Sequence, residues 1–202
     1  VLPVFALYAQ NLEGHTPLLI GLAIGAYGLS HAILQIPFGI LSDRLGRKPV
    51  IIAGLVIFAI GSMVAGNATS IWEVIFGRTL QGSGAIAAAV MALVADLTRE
   101  EQRTKAMAIL GMTIGASFIL SLVLGPVLDG LVGVPGIFWL TGILALAAIA
   151  IFQAGIPTTV RTQRQKPHSL RQEFAGILRD SQLLRLDAGV FVLHLVMTAM
   201  FV

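Results

Sequence analysis

The strongest constraint on the fold is a set of five long apolar stretches that carry almost no charge. A helix needs about 20 mainly apolar residues to cross the hydrocarbon core of a bilayer. The stretches that qualify are Leu18–Leu41, Pro49–Ala65, Ile71–Ala95, Gln102–Leu128 and Gly136–Ile156. Shorter apolar stretches occupy Val1–Ala9 and Leu186–Val202. We therefore predict an all-α polytopic membrane protein with five complete spans and two partial ones.

Composition agrees with a membrane protein and narrows the possible chemistry. Only 11% of the residues are charged and 56% are hydrophobic, whereas soluble domains carry about 25% charged residues. There is no cysteine, which excludes disulfides, thiol catalysis and thiolate metal sites. The four histidines are too far apart in sequence for zinc-like spacing. We expect no catalytic residue, no metal, no bound cofactor and no nucleic-acid partner.

The lysines and arginines predict which side of the membrane each connection faces. Twelve of the thirteen lie in three connections that the predicted spans bring to one side: Arg44 to Lys48, Arg99 to Lys105, and Arg161 to Arg185. The connections on the other side contain none; these are Gln10–Pro17, Gly66–Ser70 and Asp129–Pro135. Because short loops rich in lysine and arginine stay in the cytoplasm, we predict that the basic connections are cytoplasmic.

The charged segment after the fifth complete span divides the chain into three regions. We predict a helical bundle over residues 1–156 with a truncated first helix, a cytoplasmic linker over 157–185, and the start of a second bundle over 186–202. Within the linker, a capping box at Ser169 precedes Leu170, Phe174, Ile177 and Leu178, which share one helical face. This pattern predicts an amphipathic helix on the cytoplasmic leaflet.

The connection between the first two complete spans has an unusual composition. Its glycines and charged residues are Gly39, Asp43, Arg44, Gly46, Arg47 and Lys48. An ordinary cytoplasmic loop would account for the three basic residues, but not for the carboxylate or the two glycines. The pattern resembles the motif that transporters of the major facilitator superfamily carry between their second and third helices.

Further matches extend this resemblance over essentially the whole chain. Residues 78–85 read R-x-x-Q-G-x-G-A, as in the fourth-helix motif of the superfamily, and Asp96 matches the acidic partner of the loop motif. The chain is most similar to the proton-driven drug-type branch. It departs from that branch in the fifth-helix antiporter motif, of which Gly125 and Pro126 remain as a predicted helix bend.

The resemblance implies an architecture and a function. The chain would be the amino-terminal six-helix half of a twelve-helix transporter, built from inverted three-helix repeats. Its partners would be the lipid bilayer of the bacterial inner membrane, a small-molecule substrate and the carboxy-terminal half of the same transporter. The expected activity is proton-coupled export of small amphipathic compounds by alternating access, with the proton gradient as energy source. The alternatives are uptake of a sugar or small metabolite, and a membrane scaffold or receptor that does not transport.

The resemblance also implies a conformational switch made of the six loop-motif residues and Asp96. Asp43 would face the other half of the transporter, and Arg47 would pair with Asp96. A carboxylate at a dry interface is held only by its partners, so a proton or substrate that weakens this pairing would let the two halves rock.

Four residues are candidates for the transport cavity or for proton coupling. Arg78 is the one basic residue well inside a predicted span, where a charge is costly unless it faces a cavity or a partner. The alternatives for Arg78 are an ion pair with Glu73 and snorkelling to the outer surface. Gln81 could bind substrate or a neighbouring helix. His31 and His194 lie in apolar helices and could carry a proton or be hydrogen-bonded structural residues.

Overall fold

The computed structural model of the protein describes residues 2–155 and 180–199. The helices are α1 (Leu2–Ala9), α2 (Pro17–Leu45), α3 (Arg47–Gly66), α4 (Ile71–Ser83), α5 (Ala87–Leu97), α6 (Arg103–Gly155) and α7 (Ser181–Ala199). A short 3₁₀ turn, Glu100–Gln102, precedes α6. Strand pairing within the described residues consists of an isolated bridge between Glu13 and Ser70. The all-α prediction is confirmed.

The chain divides into two compact units, Val1–Thr162 and Gln163–Val202. The first unit contains α1 to α6 and the second contains α7, which begins five residues before the predicted start of the second bundle. The amphipathic helix predicted after Ser169 lies outside the described residues.

Four helical segments are long and apolar enough to cross a membrane: Pro17–Leu45, Arg47–Gly66, Ile71–Leu97 and Glu100–Gly155. The last has 56 residues, so at 1.5 Å per residue it extends about 80 Å, more than twice the hydrocarbon thickness of about 30 Å. It is interrupted at Gly133, whose backbone angles are φ 68° and ψ 172°.

The second part of α6 returns along α3. Trp139 packs against Gly66 near one end of α3, and the Lys48 Nζ near the other end donates to the carbonyl oxygen of Gln153 at 3.3 Å. Helix α6 therefore contributes two antiparallel crossings, and the five predicted complete spans are present.

The connection predicted over Asp129–Pro135 is wrong, because helix continues on both sides of Gly133. Glycine adopts a positive φ at little cost, which allows the chain to reverse at one residue. Pro135 then lies in the first turn of the returning helix, where its missing N–H has no intrahelical partner to lose.

The sequence predicts a helix cap at Thr16 and capping boxes at Ser70 and Thr98, each followed three residues later by a glutamate, and these predictions have different outcomes. The Thr16 Oγ1 accepts from the backbone N–H of Leu19, and Ser70 with Glu73 forms a complete capping box, so both predictions are confirmed. The capping box predicted at Thr98 is wrong. Its hydroxyl donates back to the carbonyl oxygen of Val94 at 2.6 Å, a local bond that threonine often makes to the preceding turn.

The fourth span is interrupted, which corrects the expectation of one continuous helix. Helix α4 ends at Ser83 and α5 begins at Ala87, with a short bond from the N–H of Ile86 to the carbonyl oxygen of Gly84 at 2.8 Å. Glycine weakens a helix, and a side chain at Gly84 would come within 2.4 Å of the carbonyl oxygen of Gly54. The interruption therefore coincides with a close approach of α3.

Helices α3 and α4 cross with almost no space between their backbones. A Cβ atom at Gly61 would lie 2.5 Å from the backbone nitrogen of Gln81 and 2.7 Å from the carbonyl oxygen of Gly77. A Cβ at Gly77 would lie 2.7 Å from the backbone nitrogen of Ala65. Small residues at such crossings let helices in lipid gain van der Waals contacts.

We predict that Gly61→Ala destabilises the protein by roughly 1–3 kcal/mol, because the new methyl group overlaps backbone atoms that cannot rotate away. The measurement is the melting temperature of the intact purified protein in detergent. Gly130→Ala is the matched control, since no atom of the described chain lies within 4 Å of a Cβ there. Equal melting temperatures for the two variants would contradict the close crossing.

Candidate functional site

The turn between α2 and α3 consists of one residue, Gly46. Helix α2 ends at Leu45 and α3 begins at Arg47, and Gly46 has φ 99°. This backbone region favours glycine, because a side chain there would meet the main chain. The turn brings Asp43, in the last turn of α2, next to Arg47 at the start of α3.

Arg47 is the centre of a cluster that we call the cytoplasmic latch, made of Ser42, Asp43, Arg47 and Asp96. The guanidinium forms ion pairs with the Asp43 carboxylate and with Asp96, where the Nε to Oδ2 distance is 3.2 Å. The Arg47 side chain is 10% exposed, whereas Asp43 is 59% exposed and Asp96 is 30% exposed. The pairing of Arg47 with Asp96 predicted from the sequence is present and joins α3 to α5.

Sequence reasoning missed Ser42, which completes the cytoplasmic latch. Its side chain is fully buried, and its hydroxyl donates to the carbonyl oxygen of Gly39 at 2.7 Å. The Arg47 guanidinium donates to the same hydroxyl oxygen at 2.7 Å. The available signal was a serine five residues before the motif arginine, on the other side of the turn at Gly46, although serine commonly bonds to its own helix without any further role.

The other predicted switch residues lie around the cytoplasmic latch. Gly39 is half-buried, and a Cβ there would contact the Cβ of Ala88 on α5 at 3.6 Å. Arg44 is exposed in the last turn of α2. Lys48 reaches the second part of α6 through its bond to Gln153. The structure thus brings Asp43, Arg47 and Asp96 together, and their switching role stays a prediction.

Arg78 lies among polar and aromatic side chains inside the bundle. Its guanidinium donates to the Oε1 of Gln81 at 3.2 Å and lies 4.9 Å from the ring centroid of Tyr27. Tyr27 in turn stacks on His31, with centroids 5.7 Å apart. A guanidinium over an aromatic face is stabilised by the ring quadrupole. Arg78, Gln81 and His31 are therefore brought together, with Tyr27, which the prediction omitted, between Arg78 and His31.

The alternative pairing of Arg78 with Glu73 is wrong. The Oε2 of Glu73 accepts from the backbone N–H groups of Thr69 at 2.7 Å and Ser70 at 3.3 Å. The Glu73 carboxylate accepts hydrogen bonds at the start of its own helix. The position of Arg78 therefore depends on Gln81 and Tyr27.

A chain of hydrogen bonds continues from Arg78 into the centre of the bundle. Gln81 is only 2% exposed, and its Nε2 donates to the hydroxyl oxygen of Ser62 at 2.7 Å. The Thr141 hydroxyl oxygen lies 3.4 Å from that of Ser62. We call Arg78, Gln81, Ser62 and Thr141 the polar chain; it links α4, α3 and α6.

The remaining predicted residues are His194, Gly125 and Pro126. His194 belongs to α7 in the second unit, and its side chain lies outside the described residues. The backbone at Gly125 and Pro126 keeps helical angles, since Gly133 is the non-helical position within α6. A bend at Gly125 and Pro126 therefore stays a prediction. Within residues 2–155 and 180–199 there is no group of three histidine or acidic residues that could hold a metal ion.

The pattern of the Major Facilitator Superfamily matches residues 1–202. The chain belongs to this superfamily. The single-residue turn at Gly46, the cytoplasmic latch and Arg78 therefore belong to a chain of a superfamily with an all-helical polytopic membrane fold.

Several curated proteins resemble the chain. It is 47% identical to the inner membrane transport protein YajR of Escherichia coli, over 100% of this chain and 45% of that protein. It is 40% identical to an uncharacterised transporter of Buchnera aphidicola, over 100% of this chain and 52% of that protein. It is 37% identical to multidrug resistance protein D of Escherichia coli, over 52% of this chain and 27% of that protein. The chain spans about half the length of the first two relatives.

We predict that Asp96→Asn partly restores the stability lost in Arg47→Ala. Removing the guanidinium leaves Asp43 and Asp96 without their shared counter-charge, and neutralising one carboxylate relieves part of that cost. A double-mutant cycle on melting of the intact protein should give a coupling free energy of at least about 0.5 kcal/mol.

The matched control for this cycle is Arg99→Ala, which removes an exposed cytoplasmic arginine. We expect its effect to add to that of Asp96→Asn. Additive effects of Arg47→Ala and Asp96→Asn would contradict the pairing.

Proposed function

We propose that the chain forms the amino-terminal half of a proton-coupled secondary transporter that exports small amphipathic compounds across the bacterial inner membrane. The observation that carries this proposal is the half-buried Arg78 inside the fourth span, held over Tyr27 and hydrogen-bonded to Gln81. Ionisable groups inside membrane spans are costly and usually serve a transport pathway.

In this proposal the cytoplasmic latch controls the conformational change. Asp43 is the most exposed of its three charged members, so its carboxylate can also contact the carboxy-terminal half of the transporter. Arg47 holds Asp43 and Asp96 with one buried guanidinium. Contact between the halves stabilises one state of the transporter, and loss of that contact lets the halves rock about the substrate.

His31 is the proposed proton carrier within the described spans. It stacks on the same tyrosine that Arg78 covers, and an imidazole ring can accept and release a proton. A proton on His31 adds a second positive charge beside Tyr27 and thereby disfavours the arrangement in which Arg78 covers that ring. Proton binding and the position of Arg78 are coupled in this way.

The names of the relatives support the direction and the location that we propose. Multidrug resistance protein D is named for resistance to drugs, and YajR is named as an inner membrane transport protein. The one-sided distribution of the basic residues supports a cytoplasmic location for the latch.

The first test measures proton flux in inverted membrane vesicles that contain the intact protein and hold an established pH gradient. Ethidium, tetraphenylphosphonium and tetracycline are added singly. We expect at least one compound to collapse the gradient, because export moves protons in the opposite direction.

The control for this test is Asp43→Asn, which removes the latch charge without removing apolar surface. Vesicles with this variant should not respond. A response of the Asp43→Asn vesicles equal to that of the unmodified protein would contradict the proposed switching role of Asp43. If vesicles with the unmodified protein respond to no compound, uptake of a nutrient is favoured over export.

The second test separates the charge of Arg78 from its shape. We predict that Arg78→Gln lowers transport of the responsive compound by at least about tenfold, since the intramembrane charge is lost. Arg78→Lys should retain part of the activity, because a lysine keeps the charge but not the planar stacking on Tyr27.

Arg99→Gln is the matched control for this series, because it removes an exposed arginine at the cytoplasmic surface. Its transport should equal that of the unmodified protein. Unchanged transport and melting temperature in Arg78→Gln would contradict the proposed role of Arg78 in transport.

A further inference from the structure

The hydrogen bonds around Ser62 have a fixed direction. A hydroxyl group carries one proton and two acceptor lone pairs. The Ser62 hydroxyl donates its proton to the carbonyl oxygen of Phe58 at 2.9 Å, so toward Gln81 it can only accept. The Thr141 hydroxyl has two acceptors within reach, the carbonyl oxygen of Phe138 at 2.8 Å and the Ser62 hydroxyl oxygen at 3.4 Å. The Ser62 hydroxyl therefore presents an acceptor oxygen to Gln81.

This direction determines which end of the Gln81 amide faces Arg78. The amide has a donor end and an acceptor end. Since Ser62 accepts, the Nε2 of Gln81 must point toward it, and the Oε1 is turned toward the guanidinium of Arg78. The opposite orientation would bring two acceptors together at Ser62 and two donors together at Arg78.

We infer that Ser62 is a positioning residue for Arg78 and acts through Gln81. Its relevance to transport rests on the proposed function, whereas the positioning itself does not. Ser62 is fully buried and Gln81 is 2% exposed, so bulk water does not replace the serine hydroxyl as an acceptor. Without it, the Nε2 of Gln81 loses its acceptor, only Arg78 holds the amide in this orientation, and the contact between Gln81 and Arg78 weakens.

The space around Ser62 makes alanine the suitable substitution. A Cβ atom at Gly142 would lie 3.3 Å from the Cβ of Ser62, so a larger residue at position 62 would press against the second part of α6. Ser62→Ala removes the hydroxyl and leaves the helix contact unchanged.

The experiment measures the rate at which phenylglyoxal, a reagent that modifies free guanidinium groups, reacts with Arg78 in the intact purified protein. Modification is followed by mass spectrometry of the peptide that contains Arg78, with Arg99 as internal reference. We expect Ser62→Ala and Gln81→Ala each to raise the rate at Arg78 by about fivefold, as expected for loss of one hydrogen bond. The double variant should react no faster than Gln81→Ala alone.

One further comparison tests for a general loosening of the bundle. Ser30→Ala removes another buried helical hydroxyl, which donates to backbone carbonyl oxygens of its own helix, and should leave the rate at Arg78 unchanged. An unchanged rate in Ser62→Ala, a further increase in the double variant, or an equal increase in Ser30→Ala would overturn the inference. Transport that does not depend on Arg78 would overturn the proposed function and leave these rates interpretable.

Discussion

The crossing of α3 and α4 is the contact on which the interior of this bundle depends. Polar groups inside a bilayer must find their partners within the protein, because lipid offers none. Gln81 reaches Ser62 at 2.7 Å only because Gly61 brings the two backbones almost into contact. A wider crossing would separate the amide from the hydroxyl and leave both without a partner. The close packing of α3 against α4 and the hydrogen bond between Gln81 and Ser62 therefore depend on the same helix crossing.

The two clusters lie at different depths and are joined by the same helices. Helix α2 carries Tyr27 and His31 in its middle and Asp43 at its cytoplasmic end. The fourth span carries Arg78 before its interruption and Asp96 after it. The interruption between Ser83 and Ala87 thus separates the segment that holds the polar chain from the segment that holds the cytoplasmic latch. The two segments, α4 and α5, are therefore connected by their contacts with neighbouring helices as well as by the backbone between them.

The sequence was sufficient for features that depend on local composition and on long apolar stretches. The spans and the capping box at Ser70 follow from residue types at short spacing, and the contact between Arg47 and Asp96 followed from the motif resemblance. The interruption at Gly84 and the reversal at Gly133 could not be placed, because glycine is also common inside membrane helices.

The polar chain was only partly accessible from the sequence. Arg78 and Gln81 were found because a charge and an amide are conspicuous within an apolar span. Ser62 and Thr141 are hydroxyl residues of a kind that usually bond to their own helix, and they do so here as well. What distinguishes them is the second contact, between helices far apart in sequence, which no local pattern contains.

The reversal at Gly133 also determines how little of this bundle protrudes at the end opposite the cytoplasmic latch. On the proposed outer side, the connections are Gln10–Thr16, Asn67–Ser70 and the single residue at Gly133. The first two are tied together by backbone hydrogen bonds of Glu13 to Thr69 and Ile71. Proteases, antibodies and inserted epitope tags need a flexible segment that protrudes from the surface. This end of the bundle offers them little, so surface labelling there has to rely on single side chains rather than on loops.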